Sequence, residues 1–493
     1  MDFQDFKQTA RRDRDYPERQ HELAMRIAVR DGQLYASLIR PFHVEKDDSG
    51  QYIPLRQRRP SVRYNLCRVV VDDSVSLLFA DGHFPAIECS DEATRDALTA
   101  LAMDTELPAI MVDAATRGSV GSVAIHMRVL SGRLFWAVYD TQFLTPTWRA
   151  DAPDTLAMVR EQYKVKGKVL AGMGYTVPKD DAESDYWFRR DFTDAAEVWH
   201  MPVKCGTPEA EAANWPVDTA KTTPHGLGFV PLVWVKNLPG GNGVDGACTF
   251  PDEAVDTMIE LDYQLSQAGR ALKYAGDPTL MIREPAVDND GQVIRSAGNA
   301  VVVGPEGDAK MLEITGGAAA AVLEYVRACR ELALEGAHGN RSNADKLSAA
   351  QSGRAMELMN QSLIWLADKL RTSYGTALLR LFRMAMQARA KHELVDSLGE
   401  KVPELKSGER LTLRWPHWYA PTYSDKKLEV ATLKDATGGR QLLSQETAVK
   451  ALATCYDVAD AADELRQIKA DGPMPDAKPD PEPKPGNEPG KED

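Results

Sequence analysis

A long helix is predicted by residues 353–391, GRAMELMNQSLIWLADKLRTSYGTALLRLFRMAMQARAK. Steps of three and four residues place apolar side chains on one side, the pattern of a helix that packs against protein. They are Ala355, Met359, Leu363, Leu366, Leu370, Tyr374, Leu378, Leu381 and Ala385. A helix of roughly forty residues would be about 60 Å long, about twice the diameter of a small domain. We therefore expect it to need partners beyond one compact domain.

Charged side chains interrupt every apolar window of this helix, which excludes a membrane span. They are Asp368, Lys369, Arg371, Arg380 and Arg383. A two-stranded coiled coil is disfavoured because the apolar positions widen beyond a seven-residue seam. The small residues Ser373, Gly375 and Ala377 are expected to be points of close packing. The remaining interpretation is a spoke of an extended or oligomeric assembly, with a neighbour beside it.

Length and charge limit the class of protein. A chain of 493 residues is too long for one simple core, so two to four packed regions are expected. The net charge of −14 argues against a free-standing nucleic-acid-binding protein, which would normally present a basic face. It does not argue against a protein that lets DNA pass without holding it.

Cysteine usage and the N-terminal residues bear on the compartment. The six cysteines are scattered and none forms a CxxC pair, which predicts a reducing cytoplasm without a zinc ribbon or a disulfide framework. The N-terminal sequence MDFQDFKQTARRDRDYPERQ is charged and lacks an apolar core, so no signal peptide is expected.

The chain before about residue 237 predicts an α+β domain. A weak helical pattern covers 17–40, an apolar run that is ambiguous between helix and strand covers 69–79, and a helix with a break at Pro108 covers 90–115. Strands are predicted at 121–130 and 133–139, joined as a hairpin at Ser131-Gly132, and at 158–165, 186–192 and 197–203. The domain closes with HGLGFVPLVWVKN at 225–237.

Helices dominate the rest of the chain. Helices are predicted from Asp252 to Pro278 and over 318–335, with strands TLMI (279–282) and NAVVV (299–303) joined by a turn at 288–291 between them. After the long helix come the strand LTLRWPHWY (411–419) and helices over 425–437 and 444–469. The Pro-rich, charged tail from Asp471 is predicted to be disordered.

Residues 241–246, GNGVDG, match the GxGxxG pattern of dinucleotide-binding folds and follow an apolar strand. In those folds the helix begins within the glycine run, so that its N-terminal amides meet the pyrophosphate. Here residues 247–251 intervene before the helix, and Asp262, at about the spacing of the ribose-binding acid, lies inside that helix. A soluble dinucleotide-binding enzyme that uses Gly241–Gly246 is kept as the alternative function.

Other motifs give no catalytic constellation. Residues 288–292, DNDGQ, resemble the start of a calcium loop, but Gly291 is misplaced and no glutamate closes the loop. The histidines lack metal-pair spacing, and neither GxxxxGK[ST] nor GxSxG occurs. We expect no enzyme activity, no metal and no cofactor. A scaffold on a membrane surface is disfavoured because no basic amphipathic helix is present.

The order of the features is more specific than any one of them. Asn65 precedes an apolar run, a hairpin follows Gly118, and HGLGFVPLVWVKN leads into a long helix. A strand insert, a second long helix, a polar loop, SGRAM at the start of the longest helix, a WP strand and a helical end complete the order. Over about Arg59 to Lys469, the chain resembles the portal proteins of tailed bacteriophages.

The resemblance implies an α+β portal fold with an α/β wing, a two-helix stem, a small β-containing clip, a long wing helix and a helical crown. The implied domains are an N-terminal charged segment (1–59), the wing (60–251), the first stem helix (252–276), the clip (277–316), the second stem helix (317–337), a tunnel loop (338–352), the long wing helix (353–393), a wing return strand (394–423), crown helices (424–470) and a disordered Pro-rich acidic tail (471–493).

The resemblance also implies a function. Portal proteins form a ring, usually of twelve copies, at one capsid vertex of the virion, and double-stranded DNA passes through it during packaging and ejection. The implied partners are other copies of the chain, the terminase large subunit, a head–tail adaptor protein, the major capsid or scaffolding protein and the DNA, with no membrane, and assembly takes place in the host cytoplasm. Asn340, Arg341, Asn343 and Lys346 are the candidate residues facing DNA, and a solvated loop is the open alternative for Arg341 and Lys346.

Overall fold

The computed structural model describes residues 2–80, 82–212, 214–275, 279–285, 303–312, 317–339, 357–358, 360–419, 423–438, 442–453, 456 and 461–471. Over these residues the protein is a mixed α and β structure. It divides into two compact units: Met1–Asn343 with Met359–Trp418, and Ala344–Leu358 with Tyr419–Asp493.

The helices of the first unit are α1 (Phe3–Thr9), α2 (Glu18–Arg30), α3 (Leu66–Phe79), α4 (Glu92–Asp104), α5 (Leu107–Gly118), α6 (Gly167–Gly172), α7 (Asp252–Ala275), α8 (Gly317–Gly336) and α9 (Gln361–Lys391). The second unit contains α10 (Tyr423–Thr437), α11 (Gln445–Ala453) and α12 (Ala461–Asp471). The strands are β1 (Arg40–Pro41), β2 (Arg58–Arg59), β3 (Ala86–Glu88), β4 (Ser122–Leu130), β5 (Arg133–Asp140), β6 (Leu144–Trp148), β7 (Leu156–Lys166), β8 (Asp185–Phe192), β9 (Ala196–Trp199), β10 (Val203–Lys204), β11 (Thr223–Pro224), β12 (Leu232–Lys236), β13 (Thr279–Pro285), β14 (Val303–Leu312) and β15 (Thr412–Arg414).

Helix boundaries in the N-terminal half differ from the expected ones for local reasons. The pattern expected to run to residue 40 ends as α2 at Arg30, because Gly32 adopts a positive φ of 70° and turns the chain. The ambiguous run is helix α3, and the Asn65 side chain caps its first turn. The break expected at Pro108 lies instead at Glu106, whose φ is 52°, while Pro108 sits in the first turn of α5, where it is tolerated.

Two antiparallel sheets, of three and six strands, form most of the β part of the first unit, and three strand pairs lie outside them. The expected hairpin is confirmed as β4–β5, and its turn residues Ser131 and Gly132 both have positive φ. Strand order is β12-β4-β5 in one sheet and β11-β9-β8-β7-β6 in the other, with β10 also paired to β8. The strand expected over 197–203 is therefore two short strands, β9 and β10. A buried apolar cluster joins the two sheets, and it includes Ala124, Leu144, Phe192 and Trp234.

The long helix is shorter than expected and is covered by its own chain. Within the described residues α9 begins at Gln361 and has 31 residues, which corresponds to about 46 Å at ~1.5 Å per residue. Residues 353–356 and 359 lie outside the described part. The apolar face from Leu363 to Ala388 is buried, and α3, β4, β12 and β15 pack against α9. Of the two neighbours expected for this helix, its own chain is confirmed, and the adjacent subunit stays a prediction.

Two of the three small residues of α9, Gly375 and Ala377, allow close packing as expected, whereas Ser373 is only partly buried and lines a cavity. A Cβ placed on Gly375 would lie 3.2 Å from the Trp415 ring, and Ala377 is buried. The fully buried Tyr374 donates a hydrogen bond of 3.2 Å from its hydroxyl to Asn237 Oδ1. Its hydroxyl also occupies the space that a side chain at Gly118 would need. The contact between α5 and α9 therefore depends on a glycine at position 118.

Gly118→Ala is expected to destabilise the protein by about 1–3 kcal/mol, because the added methyl group must displace the buried Tyr374. Gly269→Ala is the matched control: Gly269 also lies in a helix, α7, but a Cβ there meets no atom within 4 Å. Gly269→Ala is expected to be neutral or to stabilise by up to ~1 kcal/mol. Urea-unfolding curves of both variants test this, and equal midpoints would contradict the packing role of Gly118.

The second unit is helical in its described part, as expected for 425–469, but with one more break. The helix expected over 444–469 is two helices, α11 and α12, which contact each other. The tail from residue 472 lies outside the described residues.

Candidate functional site: the α7–α8 arm

Two helices with a β-hairpin between them follow one another in the chain. The elements are α7, the antiparallel pair β13–β14 and α8, and we call them together the arm. α7 and α8 pack against each other. After α8 the chain meets α3 of the same unit, where Gly339 lies against Val70. The arm is therefore a helical hairpin tipped by a β-hairpin.

The sequence predicted the first strand of the arm and only the start of the second. TLMI is confirmed as part of β13, which pairs with β14 in the register Thr279 to Leu312. Of the second strand expected at 299–303, residues 299–302 lie outside the described residues, and β14 runs from Val303 to Leu312 and includes Pro305 and polar residues. Apolar content marks a strand poorly in an exposed hairpin, because neither face needs to be buried. The turn expected at 288–291 lies outside the described residues.

The N-terminal residues fix the first half of α7. Phe3 and Phe6 are buried, and the amide of Phe3 donates to Asp256 Oδ1 at 2.6 Å. Lys7 Nζ forms an ion pair of 2.7 Å with Asp252, in the first turn of α7. The sequence had given no role to the segment 1–59; in the structure it is packed along the arm's first helix.

Further contacts continue along α7. The backbone amide of Val62 donates to Ser266 Oγ at 3.0 Å, and the Tyr263 hydroxyl donates to the carbonyl oxygen of Arg58 at 3.0 Å. Arg270 is paired with Glu45. The base of the arm is thus held by segments that precede it by about two hundred residues in the chain. This arrangement favours a fixed direction of α7 relative to the sheets of the same unit.

Asp262 is a carboxylate buried in the middle of α7, with 1% of its surface exposed. Its oxygens accept hydrogen bonds from the Tyr64 amide at 2.7 Å and from the Tyr35 hydroxyl at 2.9 Å. Burial raises the pKa of Asp262 to about 6, although the two hydrogen bonds and the nearby Arg63 act in the opposite direction. The sequence signal for such a group is a lone acidic residue on the apolar face of a helix.

α8 leaves an apolar stripe exposed. One side of the helix, with Cys329 and Ala333, is buried. The adjoining face presents Tyr325 and Leu332, 49% and 65% exposed, at a spacing of two helical turns. The α8 stripe consists of Ala321, Tyr325, Ala328 and Leu332, and all four are exposed. Exposed large apolar residues in a row mark a surface that binds protein.

The four candidate DNA-facing residues, Asn340, Arg341, Asn343 and Lys346, lie outside the described residues, so their role stays a prediction. The flanking residues are described. Ser362 Oγ, in the first turn of α9, donates to the carbonyl oxygen of Gly339 at 3.3 Å. The residue after α8 and the first turn of α9 are therefore in contact.

The glycine run of the alternative function is occupied by its own chain. Helix α7 begins at Asp252, after the run has ended. The amides of Val244 and Asp245 donate to Asn242 Oδ1, and the amide of Gly246 donates to the carbonyl oxygen of Gly121. These amides are therefore not available to a pyrophosphate.

Asp245, the acidic residue of the glycine run, is also hydrogen-bonded within its own chain. Asp245 is buried and accepts hydrogen bonds from Arg19 at 2.6 and 2.7 Å and from Ser122 at 2.5 Å. Burial raises the pKa of Asp245, but the hydrogen bonds from Arg19 and Ser122 outweigh it and hold the pKa below its usual value. The loop is thus a structural junction between α2 and β4.

Buried charged residues in the two large sheets also have partners. Arg190 lies between Glu161 and Glu197, at 2.7 and 2.8 Å. His126 packs on Phe192 with 4.7 Å between ring centres, and burial lowers the pKa of His126 to about 3, with Arg128 and Arg190 acting in the same direction. A neutral core histidine and a paired arginine indicate a structural role.

No group of three or more His, Cys, Asp or Glu residues in the described part of the chain could hold a metal ion. Among the same residues no helix is long and apolar enough to cross a membrane. Neither the models of known protein families nor the curated proteins gave a match to this chain. The arm is therefore the candidate functional site on geometry alone.

Proposed function

We propose that this chain is a portal protein: a structural subunit that assembles with copies of itself into a closed ring, through which double-stranded DNA passes. The observation that carries the proposal is the α8 stripe. Tyr325 and Leu332 face solvent on a helix whose other side is already packed. In a closed ring each copy contacts its two neighbours through two different surfaces. If the α8 stripe is one of these surfaces, it is covered in every copy.

The order of elements supports the same assignment. The two sheets, the arm, the long helix α9, the short strand β15 and the helices α10–α12 follow one another as wing, stem with clip, long wing helix, return strand and crown do in portal proteins. The arm corresponds to the stem and clip. The tight fixation of α7 by Asp262 and its neighbours suits a stem helix that must keep one direction in every copy.

Charge supports a passage for DNA rather than a binding site for it. The chain has a net charge of −14. Each contact between a lysine or arginine and a phosphate adds binding that must be broken when DNA moves. If the wall of the channel is predominantly acidic and only Arg341 and Lys346 contact phosphates briefly, the DNA can slide through it. The implied partners are the terminase large subunit, which would hydrolyse ATP, a head–tail adaptor, and the capsid or scaffolding protein at a capsid vertex.

The mass of the purified full-length chain tests the proposal. A ring is expected in native mass measurement, with twelve copies as the usual number for portal proteins, and negative-stain images should show an axial opening. A chain that remains a monomer or dimer at micromolar concentration would overturn the proposed function. A melting temperature raised by a nicotinamide or flavin cofactor would instead favour the dinucleotide-binding enzyme.

A further inference from the structure

A groove runs along the exposed side of α9. Two cavities of about 580 and 560 Å³ lie side by side and share Trp148, Asp154, Trp234 and Arg380 in their walls. We call the combined space the Trp148 groove. One wall is α9; the other is formed by β12 and by the turn between β6 and β7.

The groove contains cations that the chain does not neutralise. No carboxylate in the described part of the chain lies within ion-pair distance of the exposed Arg383. Arg380, three residues earlier on the same helix, has Asp154 at 4.0 Å, the outer limit of an ion pair. Arg149, at the opposite wall, is held by Asp151 at 2.8 Å. Lys236, which also lines the groove, donates to the carbonyl oxygen of Gly243 at 2.6 Å and lies over the Trp148 ring. Arg380 and Arg383 lie together on α9, and with Lys236 beside them they can receive an anion from outside.

The floor of the groove is aromatic and fixed. The rings of Trp148 and Trp234 meet edge to face, with 6.4 Å between their centres. Trp234 Nε1 donates to the carbonyl oxygen of Val244 at 2.9 Å, which holds that ring in place. Phe229 also lines the groove. Rigid aromatic surfaces give binding energy to an apolar side chain without a large cost in ordering.

The carboxylates of the groove favour a peptide over a nucleic acid. Asp154 and Asp194 line the same cavity as the two arginines. A phosphodiester chain would bring a negative charge past each of these carboxylates, whereas a peptide can place one carboxylate at the arginines and leave the rest uncharged.

We propose that the Trp148 groove binds a segment of a partner protein in which an aspartate or glutamate stands beside a large apolar residue. The acid pairs with Arg383 and Arg380, and the apolar side chain lies on the Trp148 ring. The proposal goes beyond the ring and does not rest on it, because the groove is complete within one chain.

A phage-displayed random peptide library, panned against the full-length chain, tests this surface. Selected peptides are expected to carry an acidic residue beside an aromatic residue or leucine. Their affinity should fall about tenfold or more in the Arg380→Glu/Arg383→Glu variant, since one charge pair that loses 1.4 kcal/mol lowers affinity tenfold. Trp148→Ala should also weaken binding. Arg410→Glu, a charge reversal at an exposed arginine outside the groove, should leave the affinity within about twofold.

Four results would overturn the proposal. The first is a library that yields no enriched peptide, and the second is binding that survives in the double variant. The third is displacement of the selected peptide by single-stranded DNA, which would assign the groove to nucleic acid. The fourth is a change in oligomeric state in the Arg380→Glu/Arg383→Glu variant alone, which would assign the groove to a second copy of this chain.

Discussion

If the chain forms the proposed ring, replacing both Tyr325 and Leu332 by glutamate is expected to convert it into single chains that remain folded. Both side chains are exposed in one chain, so charges at these positions cost the isolated fold little. In the ring the same positions would be buried against a neighbour, where an unpaired carboxylate costs several kcal/mol. The cost recurs at every contact of a closed ring. Light scattering of the fractionated protein, with circular dichroism on the same sample, measures both outcomes.

The matched control replaces two other exposed apolar residues of the same unit. Met103 and Leu398, 59% and 86% exposed, lie in α4 and in the loop after α9, outside the arm. Met103→Glu/Leu398→Glu should leave the ring intact. Rings that persist in the Tyr325→Glu/Leu332→Glu variant would contradict the α8 stripe as the contact between copies. A wild-type chain that is already monomeric would contradict the proposed function itself.

Periodicity predicted the long helix and its buried face, but not what covers that face. Leu363, Leu370 and Leu378 are buried as expected. Their partners lie on α3, β12 and β15, far away in the sequence, and a helical repeat contains no information about distant segments. The expected contact of this helix with an adjacent subunit therefore rests on its length alone and stays a prediction. An exposed apolar surface that could meet a neighbour lies instead on α8, a helix that the sequence also predicted.

The exposed stripe could not be read from α8 itself. Its sequence has apolar residues on both sides, Val322 and Val326 on one and Tyr325 and Leu332 on the other. Both sides satisfy a helical repeat, so only the placement of α7 decides which one is left open. The role of Asp262 could not be predicted from the sequence either. Its distance from the glycine run suggested only a comparison with a ribose-binding acid. Its contact with Tyr35 depends on how the N-terminal segment folds. The predicted DNA-facing residues 340–346 stay a prediction.

The N-terminal segment and Asp262 connect the stability of the arm to pH. Tyr35 reaches Asp262 from the turn after α2, and Tyr64 reaches it from the residues before α3. Three separate parts of the chain thus meet at one buried carboxylate. When that group ionises, the folded protein must hold a charge with 1% exposure between two hydrogen-bond donors. Protonation removes this cost, so the junction should be most stable in mild acid.

The wild-type protein is expected to lose stability as the pH rises from 4 to 8, and the Asp262→Asn variant is expected to lack this loss. Because the folded-state pKa of about 6 lies above the unfolded value, the contribution of Asp262 is fully present below about pH 4 and is lost as the pH rises through 6. At ~1.4 kcal/mol per pKa unit the loss is about 3 kcal/mol. An asparagine stays neutral, and it can accept from the Tyr64 amide and donate to the Tyr35 hydroxyl. Urea-unfolding curves at several pH values, at one protein concentration, give the difference between variant and wild type.

Tyr35→Phe should change the pH dependence in the opposite direction. The Tyr35 hydroxyl donates to the carboxylate and so stabilises its charged form. Without it the pKa of Asp262 should rise further, and the loss of stability between pH 4 and pH 8 should be larger than in the wild type. A difference between Asp262→Asn and wild type that is constant over this range would show that Asp262 ionises alike in the folded and unfolded chain. The charge buried in α7 would then have no part in the stability of the arm.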